Sequence, residues 1–102
     1  MIFVIAESIM KDENCKAEFI RIAKANIPTV RAEKGCISYE LNEDCKEGPA
    51  AQRANPKALT FVECWESIEA LQAHLQAPHM KAFVEKVRSL REGSSLKVVT
   101  PV

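Results

Sequence analysis

The sequence predicts an α+β fold in which one four-stranded antiparallel sheet carries helices on one face. Short apolar runs and segments of helical periodicity follow one another in the order β-α-β-β-α-α-β. Helices segregated to one face of a single sheet are the natural packing for that order. The length of 102 residues suits one domain and not two, so we expect a single domain over residues 1–102.

The first half of the chain predicts two strands around a long helix. Ile2–Ala6 is a short β-branched run whose two faces are both apolar. Asp12–Ala32 repeats apolar side chains at helical spacing, and Pro28 predicts a kink or a split in this helix. Cys36–Asn42 alternates as a half-buried strand does. Residues 43–58 then form a long polar connection.

The second half predicts two strands and two helices. Leu59–Trp65 is again apolar on both faces apart from one Glu, and Ser67 is placed to cap the helix that follows. Pro78 suits the first turn of the next helix, and Gly93 is expected to end it. Leu96–Val102 reads as a closing strand. The apolar stripe expected for the shorter helix is Ile68, Leu71 and Leu75.

The two strands that are apolar on both faces, Ile2–Ala6 and Leu59–Trp65, predict self-association. With helices on one face only, the other sheet face would expose an extended apolar surface, which monomers seldom do. A second copy of the same sheet is the simplest cover, so we expect a two-fold homodimer joined through the sheet face.

The composition indicates which binding partners and which cellular compartment to expect. Lys plus Arg and Asp plus Glu both total 14, so neither nucleic acid nor an anionic membrane is an expected partner. No apolar run approaches the roughly 20 residues of a membrane helix, and no signal peptide is expected. The four cysteines form no zinc pattern with either His, so we expect reduced thiols, a cytoplasmic protein and no metal.

Two stretches carry a family resemblance. ECWESIEALQAHLQAPHMKAF, with its pattern W-E-S-x-x-A-L-x-x-H-L-x-x-P-H, resembles the signature of the antibiotic biosynthesis monooxygenase family and its YgiN-type quinol monooxygenase branch. IPTVRAEKGCISY is similar to the end of that family's first helix and its second strand. The resemblance implies a ferredoxin-like fold, a dimeric α+β barrel and a pocket between sheet and helices. It also implies oxidation of a small aromatic quinol or phenol by O2 with no metal, flavin or haem cofactor.

Other branches of the family offer alternatives. An isomerase of a small phosphorylated signalling sugar shares the H-x-x-x-P-H pattern and would need basic groups such as Arg21, Arg31 or Lys81. A dimer that binds a small ligand without catalysis would keep the same fold. The haem-degrading branch departs from this sequence, because its Trp and ligand His positions are occupied by His74 and Val84.

His74 and Glu63 are the candidate catalytic residues. His74 lies on the inward side of its predicted helix, and an ordinary imidazole accepts a proton near neutral pH. Glu63 interrupts an apolar strand, and a buried carboxylate must be paired or protonated. It either orients His74 or pairs with an Arg across the dimer interface, and the second role is slightly favoured.

The candidate substrate-binding residues are mostly aromatic. Trp65 has a flat face suited to stacking on a quinol ring, although the end of a strand also suits core or interface. Tyr39 is placed to hydrogen-bond a substrate oxygen, and Phe61 shares the face of Trp65. His79 either binds substrate or joins the two helices.

Overall fold

The computed structural model describes residues 1–49 and 52–102 and follows the expected order of elements. A single turn of 3-10 helix, Arg88–Leu90, precedes the last strand. The elements are β1 Ile2–Met10, α1 Glu13–Arg31, β2 Cys36–Glu43, β3 Ala58–Trp65, α2 Ile68–Gln76, α3 Pro78–Val87 and β4 Arg91–Val99.

The strands form one sheet in the order β2-β3-β1-β4, and each neighbouring pair is antiparallel. The central strands pair from Ile2 opposite Trp65 to Ile9 opposite Ala58. The register between β2 and β3 sets Tyr39 opposite Glu63, so both side chains lie on one face. This arrangement confirms the ferredoxin-like α+β fold.

The core lies between the sheet and the helices and is rich in aromatic rings. Phe61 and Trp65 point from β3 toward the helices and are 7% and 0% exposed. Phe19 of α1 lies 6.3 Å from Phe61 and 5.6 Å from Phe83 of α3, measured between ring centroids. Each fully buried side chain of this size contributes about 1.5–3 kcal/mol, so these rings are a main source of stability.

The opposite face of the sheet stays partly open. Ile5 of β1 and Val62 of β3 are register partners on that face and are 38% and 40% exposed. Phe3 pairs with Val99 of β4 on the same face, and Val99 is 38% exposed. The two-faced character predicted for the first and third strands is therefore present.

Two predictions for the first half need correction. Pro28 does not split the long helix, because it lies in the last turns of α1 and removes only one hydrogen bond near the end. The first strand extends to Met10 instead of ending at Ala6, because polar Glu7 and Ser8 still pair on both sides with β3 and β4.

Three further corrections concern the second half. The closing strand, β4, runs over Arg91–Val99 and not over Leu96–Val102. Gly93 does not end a helix; α3 ends at Val87, and Gly93 lies in β4 opposite Ile9, beside a shift in the strand register. Glycine serves such irregular strand positions as readily as helix ends. The apolar stripe predicted for α2 is also wrong at two of its three positions, since Ile68 is 41% and Leu75 45% exposed, while Leu71 and His74 are buried.

The connection between β2 and β3 is held at both of its ends. The Asp44 carboxylate accepts from the backbone N–H of Asn55 at 2.8 Å, and the Gln52 amide donates to the carbonyl of Cys45 at 2.9 Å. Residues 50 and 51 of the predicted 43–58 connection lie outside the described residues. Within the described ranges, none of the helices combines the length and apolar character needed to cross a membrane.

Candidate active site

Glu33 joins two histidines that come from different helices. Its Oε2 atom lies 2.8 Å from Nδ1 of His74 and 3.0 Å from Nε2 of His79. A carboxylate oxygen only accepts, so each ring donates an N–H to it when Glu33 is ionised. The exposed fractions of the side chains rise from 2% for His74 through 15% for Glu33 to 28% for His79. The three residues thus form a hydrogen-bonded path from the interior to the surface.

A second carboxyl faces the inner histidine. Oε1 of Glu63 lies 4.0 Å from Nε2 of His74 and accepts the indole N–H of Trp65 at 2.9 Å. Burial raises the pKa of the Glu63 carboxyl, while the Trp65 hydrogen bond and the His74 ring act in the opposite direction. The ring of His74 therefore lies between two carboxyl groups, one on each side.

Aromatic rings enclose this inner histidine. The Trp65 ring lies 4.5 Å from the His74 ring at 36°, and the Tyr39 ring meets it edge-on at 5.6 Å. Tyr39 also stacks on Phe61 with 4.8 Å between centroids. Burial, reinforced by the negative charges of Glu63 and Glu33, raises the pKa of the Tyr39 hydroxyl, which keeps that group a neutral phenol. With these rings around it, the His74 side chain is only 2% exposed, so bulk water is excluded from the imidazole.

The turn after α1 brings Glu33 to the histidines. Gly35 has a φ of 87° in this turn, and a Cβ atom there would lie 2.6 Å from Cβ of Ala70 on α2. The carbonyl of Gly35 accepts from the backbone N–H of Glu66 at 2.9 Å. Glycine is therefore required both by the backbone conformation and by the close approach of the turn to α2.

The junction of α2 and α3 brings the two histidines together. Ser67 caps α2 with its hydroxyl, and His74 lies in the last turn of that helix. Only Ala77 separates α2 from Pro78, the first residue of α3, which places His79 in the first turn. The change in helix direction at Ala77 lets both rings reach the same carboxylate.

The residues predicted from sequence fall into this one cluster. Tyr39, Phe61, Glu63, Trp65 and His74 all point to the helix side of the sheet and are buried. The role for Glu63 that the sequence slightly favoured, an Arg partner across a sheet-to-sheet interface, is therefore wrong. Its side chain lies beside His74 on the opposite face. His79 is connected to the cluster through Glu33.

Glu33 is the member that sequence reasoning missed. It stands 41 residues before His74, just after the end of a helix, where charged side chains are common. The only local signal was Gly35, which marks a tight turn without indicating what the turn presents.

Two of the three basic side chains that the phosphate-binding alternative would need make contacts elsewhere. Arg21 pairs with Glu18, and Arg31 donates to the carbonyl of Tyr39 at 3.1 Å. These contacts give no support to the phosphate-binding alternative. Among residues 1–49 and 52–102, no group of three or more His, Cys, Asp or Glu side chains is arranged to hold a metal ion.

Comparisons with known proteins agree with this architecture. The family model described as "Antibiotic biosynthesis monooxygenase" matches residues 1–86. The Escherichia coli (strain K12) protein "Probable quinol monooxygenase YgiN" is 40% identical over 75 residues, which cover 74% of this chain and 72% of that protein.

Solved structures show the same fold. The crystal structure of an antibiotic biosynthesis monooxygenase superposes with a TM-score of 0.83 at 22% identity, over 100% of this chain and 99% of that one. A conserved protein from Methanosarcina mazei Go1 gives a TM-score of 0.85 at 24% identity, over 99% and 92% of the two chains. Together with the sequence match over most of its length, these findings show that the chain belongs to the antibiotic biosynthesis monooxygenase family.

Proposed function

We propose that the chain is a cofactor-independent monooxygenase of a small aromatic quinol, with His74 as the general base. The single observation that carries the proposal is the His74 ring held between Glu33 and Glu63 in an aromatic interior. Family membership and the similarity to a protein named as a quinol monooxygenase support the choice of reaction.

The surroundings of His74 suit a proton acceptor. A proton that reaches this ring makes an imidazolium, whose charge is stabilised by Glu33 at 2.8 Å on one side and Glu63 at 4.0 Å on the other. The apolar rings around it strengthen these interactions, because the local dielectric is lower than that of water.

The substrate supplies the electrons in this reaction. Deprotonation of a 1,4-naphthoquinol gives an electron-rich quinolate that passes one electron to O2, and the resulting radical pair recombines at a ring carbon. Loss of water from the adduct gives a hydroxynaphthoquinone, so that one quinol and one O2 yield one hydroxyquinone and one water. All four electrons that reduce O2 come from the quinol. A simple oxidase would instead yield the parent quinone and hydrogen peroxide.

Oxygen uptake with a 1,4-naphthoquinol tests the proposal. The assay uses metal-free buffer with a chelator, and the protein must raise uptake above the autoxidation rate. With labelled O2, the monooxygenase places one labelled oxygen in the hydroxyquinone. If no quinol gives excess uptake, the proposed function is wrong, and if label-free quinone and peroxide form, the chain is an oxidase.

His74→Asn isolates the role of the base. The Asn amide can still donate to Glu33, so the local hydrogen bond is kept while proton transfer is lost. We expect kcat/KM to fall by about 10²–10⁴-fold, the usual contribution of an acid–base group. Leu75→Ala, on the exposed side of the same helix, is the matched control. Unchanged turnover in His74→Asn would remove His74 from the mechanism.

We also propose that two chains pair through the open sheet face. The side chains of Ile5, Val62 and Val99 are each about two-fifths exposed on this face. Phe3 lies on the same face, opposite Val99 in the sheet. A second sheet would remove this apolar area from water. Sedimentation should give twice the chain mass of 11.4 kDa, and Val62→Lys should shift it toward one chain. A wild-type species of one chain mass at micromolar concentration refutes the dimer.

The thiol state supports a reducing location. All four cysteines, Cys15, Cys36, Cys45 and Cys64, are free, and burial raises the pKa of the Cys36 thiol. Free thiols persist in the cytoplasm, and we propose that location for the chain.

A further inference from the structure

The backbone of Glu33 is fixed by the turn in which it lies. Its N–H donates to the carbonyl of Val30 at 3.0 Å, and its carbonyl accepts from the N–H of Cys36 at 3.2 Å. The bond from the Glu66 N–H to the Gly35 carbonyl, at 2.9 Å, connects the same turn to the residues that precede α2. The Glu33 carboxylate therefore projects from a backbone that is held on both sides.

One oxygen of Glu33 accepts from both histidines. Oε2 lies 2.8 Å from Nδ1 of His74 on α2 and 3.0 Å from Nε2 of His79 on α3, so two helices set its position. His79 is 28% exposed, whereas His74 is 2% exposed. The outer histidine thus holds the carboxylate that the inner histidine binds.

The bond to Glu33 decides which nitrogen of His74 carries the hydrogen. In a neutral imidazole one nitrogen donates and the other accepts, and the partner of one nitrogen fixes the role of the other. With the Nδ1–H directed at Glu33, Nε2 carries the lone pair. Oε1 of Glu63 lies 4.0 Å from Nε2, beyond hydrogen-bonding distance, and it accepts from the Trp65 indole. Nε2 is therefore the atom of His74 that can accept a proton.

The two carboxyl groups favour opposite tautomers of His74. When ionised, Glu33 attracts a hydrogen on Nδ1 and Glu63 attracts one on Nε2. The shorter distance, 2.8 Å against 4.0 Å, gives Glu33 the stronger interaction. The rings of Trp65 and Tyr39, 4.5 Å and 5.6 Å from the His74 ring, oppose a turn of the imidazole that would exchange its nitrogens. Without Glu33, the remaining carboxylate would favour hydrogen on Nε2, and that atom could no longer act as a base.

We propose that Glu33 is a positioning residue, which keeps the hydrogen of neutral His74 on Nδ1 so that Nε2 takes the phenolic proton. The proposal rests on the proposed function and names the atom of His74 that acts. The O–H bond of the phenol breaks, its electron pair stays on the phenolate oxygen, and an N–H bond forms at Nε2. The hydrogen on Nδ1 stays in place, so no proton crosses Glu33. A base oriented by a third group is a recurring arrangement in catalysis by histidine.

NMR of protein labelled at the histidine nitrogens tests the tautomer without turnover. At a pH where both rings are neutral, the spectrum distinguishes a nitrogen that carries hydrogen from one that does not, and the His79→Gln spectrum assigns the signals. We expect the hydrogen of His74 on Nδ1 in the wild type and mainly on Nε2 in Glu33→Ala. Hydrogen on Nε2 in the wild type refutes the proposal even if Glu33→Ala does not fold. Hydrogen still on Nδ1 in folded Glu33→Ala refutes it as well.

Turnover of a 1,4-naphthoquinol by folded protein separates positioning from stability. Glu33 acts through His74 and not on the substrate, so Glu33→Ala should lower kcat by about 10²-fold or more while KM stays within about twofold. Glu69→Ala is the matched control, because it makes the same change at an exposed position of α2. It should leave both constants within about twofold. Equal kcat in Glu33→Ala and Glu69→Ala, or a rise in KM alone, contradicts the positioning role.

The outcomes separate this inference from the proposed function. If quinol is oxidised and Glu33→Ala keeps both the Nδ1–H and the wild-type kcat, the function stands and the role of Glu33 is wrong. If no quinol is oxidised but the hydrogen moves from Nδ1 to Nε2 in Glu33→Ala, Glu33 still sets the tautomer and the monooxygenase proposal is wrong.

Discussion

Removing the Glu33 carboxylate should destabilise the chain through the two rings it connects. In Glu33→Ala, the Nδ1–H of His74 loses its partner at a position only 2% exposed, and His79 loses a bond at a position 28% exposed. A hydrogen bond to a charged group contributes about 1.5–3 kcal/mol, and an orphaned buried donor costs about 1–3 kcal/mol. The bond to His79 is discounted for solvent screening. We therefore expect a loss of about 2–4 kcal/mol in the free energy of unfolding.

Urea unfolding at fixed protein concentration measures this loss. The midpoint should fall while the slope m stays constant, since the surface exposed on unfolding hardly changes. The melting temperature should fall by about 8–32 °C, because 1 kcal/mol corresponds to roughly 4–8 °C in a small domain. Glu33→Gln keeps two polar atoms and should lose less than Glu33→Ala does.

Glu85→Ala is the matched control for Glu33→Ala. Glu85 makes an exposed i,i+3 pair with Arg88, and its removal should cost about 0.5 kcal/mol or less. If Glu33→Ala and Glu85→Ala unfold with the same free energy, the bonds to the histidines do not hold the turn to the helices, and the cluster described above is wrong.

Two further predictions follow from the same region. Burial raises the pKa of the Glu63 carboxyl in the folded chain, so the folded chain keeps the carboxyl proton to higher pH than the unfolded chain does. The free energy of unfolding of the wild type therefore falls as the pH rises from the ordinary pKa of 4.5 through the raised pKa of the folded chain. Urea titrations should show the stability of Glu63→Gln rising relative to wild type over that interval, by about 1.4 kcal/mol per unit of pKa shift, and a constant difference contradicts this. Gly35→Ala should lose about 2 kcal/mol or more in thermal unfolding, from the left-handed backbone and the contact with Ala70. Gly93→Ala, with nothing within 4 Å of its added Cβ, should change little, and equal losses would refute the steric argument.

Much of the fold could be predicted from periodicity because strands and helices leave local patterns. The alternation along Leu59–Trp65 correctly placed Phe61, Glu63 and Trp65 on one face, and helical spacing placed His74 inward. The local patterns were weaker at element ends. Gly93 looked like a helix end because glycine serves several backbone roles, and the pairing partners that assign it to β4 lie 84 residues away at Ile9.

The candidate site was predictable only where its residues interrupt a pattern. Glu63 stood out because a charge in an apolar strand needs an explanation, whereas Glu33 stood in a polar turn where a charge needs none. Its role arises from tertiary contact alone, through a turn that Gly35 allows to approach α2. Residues of this kind have no sequence signal, because the same composition also occurs in ordinary surface turns.

The buried carboxyl of Glu63 is costly for a structural role alone. An apolar side chain of similar size would fill the same space beside Trp65 without desolvating a charge, and such replacements often stabilise proteins. The cost has a purpose if a proton arrives at His74 during the reaction, because the new positive charge then meets a carboxyl on each side of the ring. Under this proposal, Glu63 lowers the stability of the resting protein and stabilises the imidazolium of His74. Catalytic sites commonly combine these two effects.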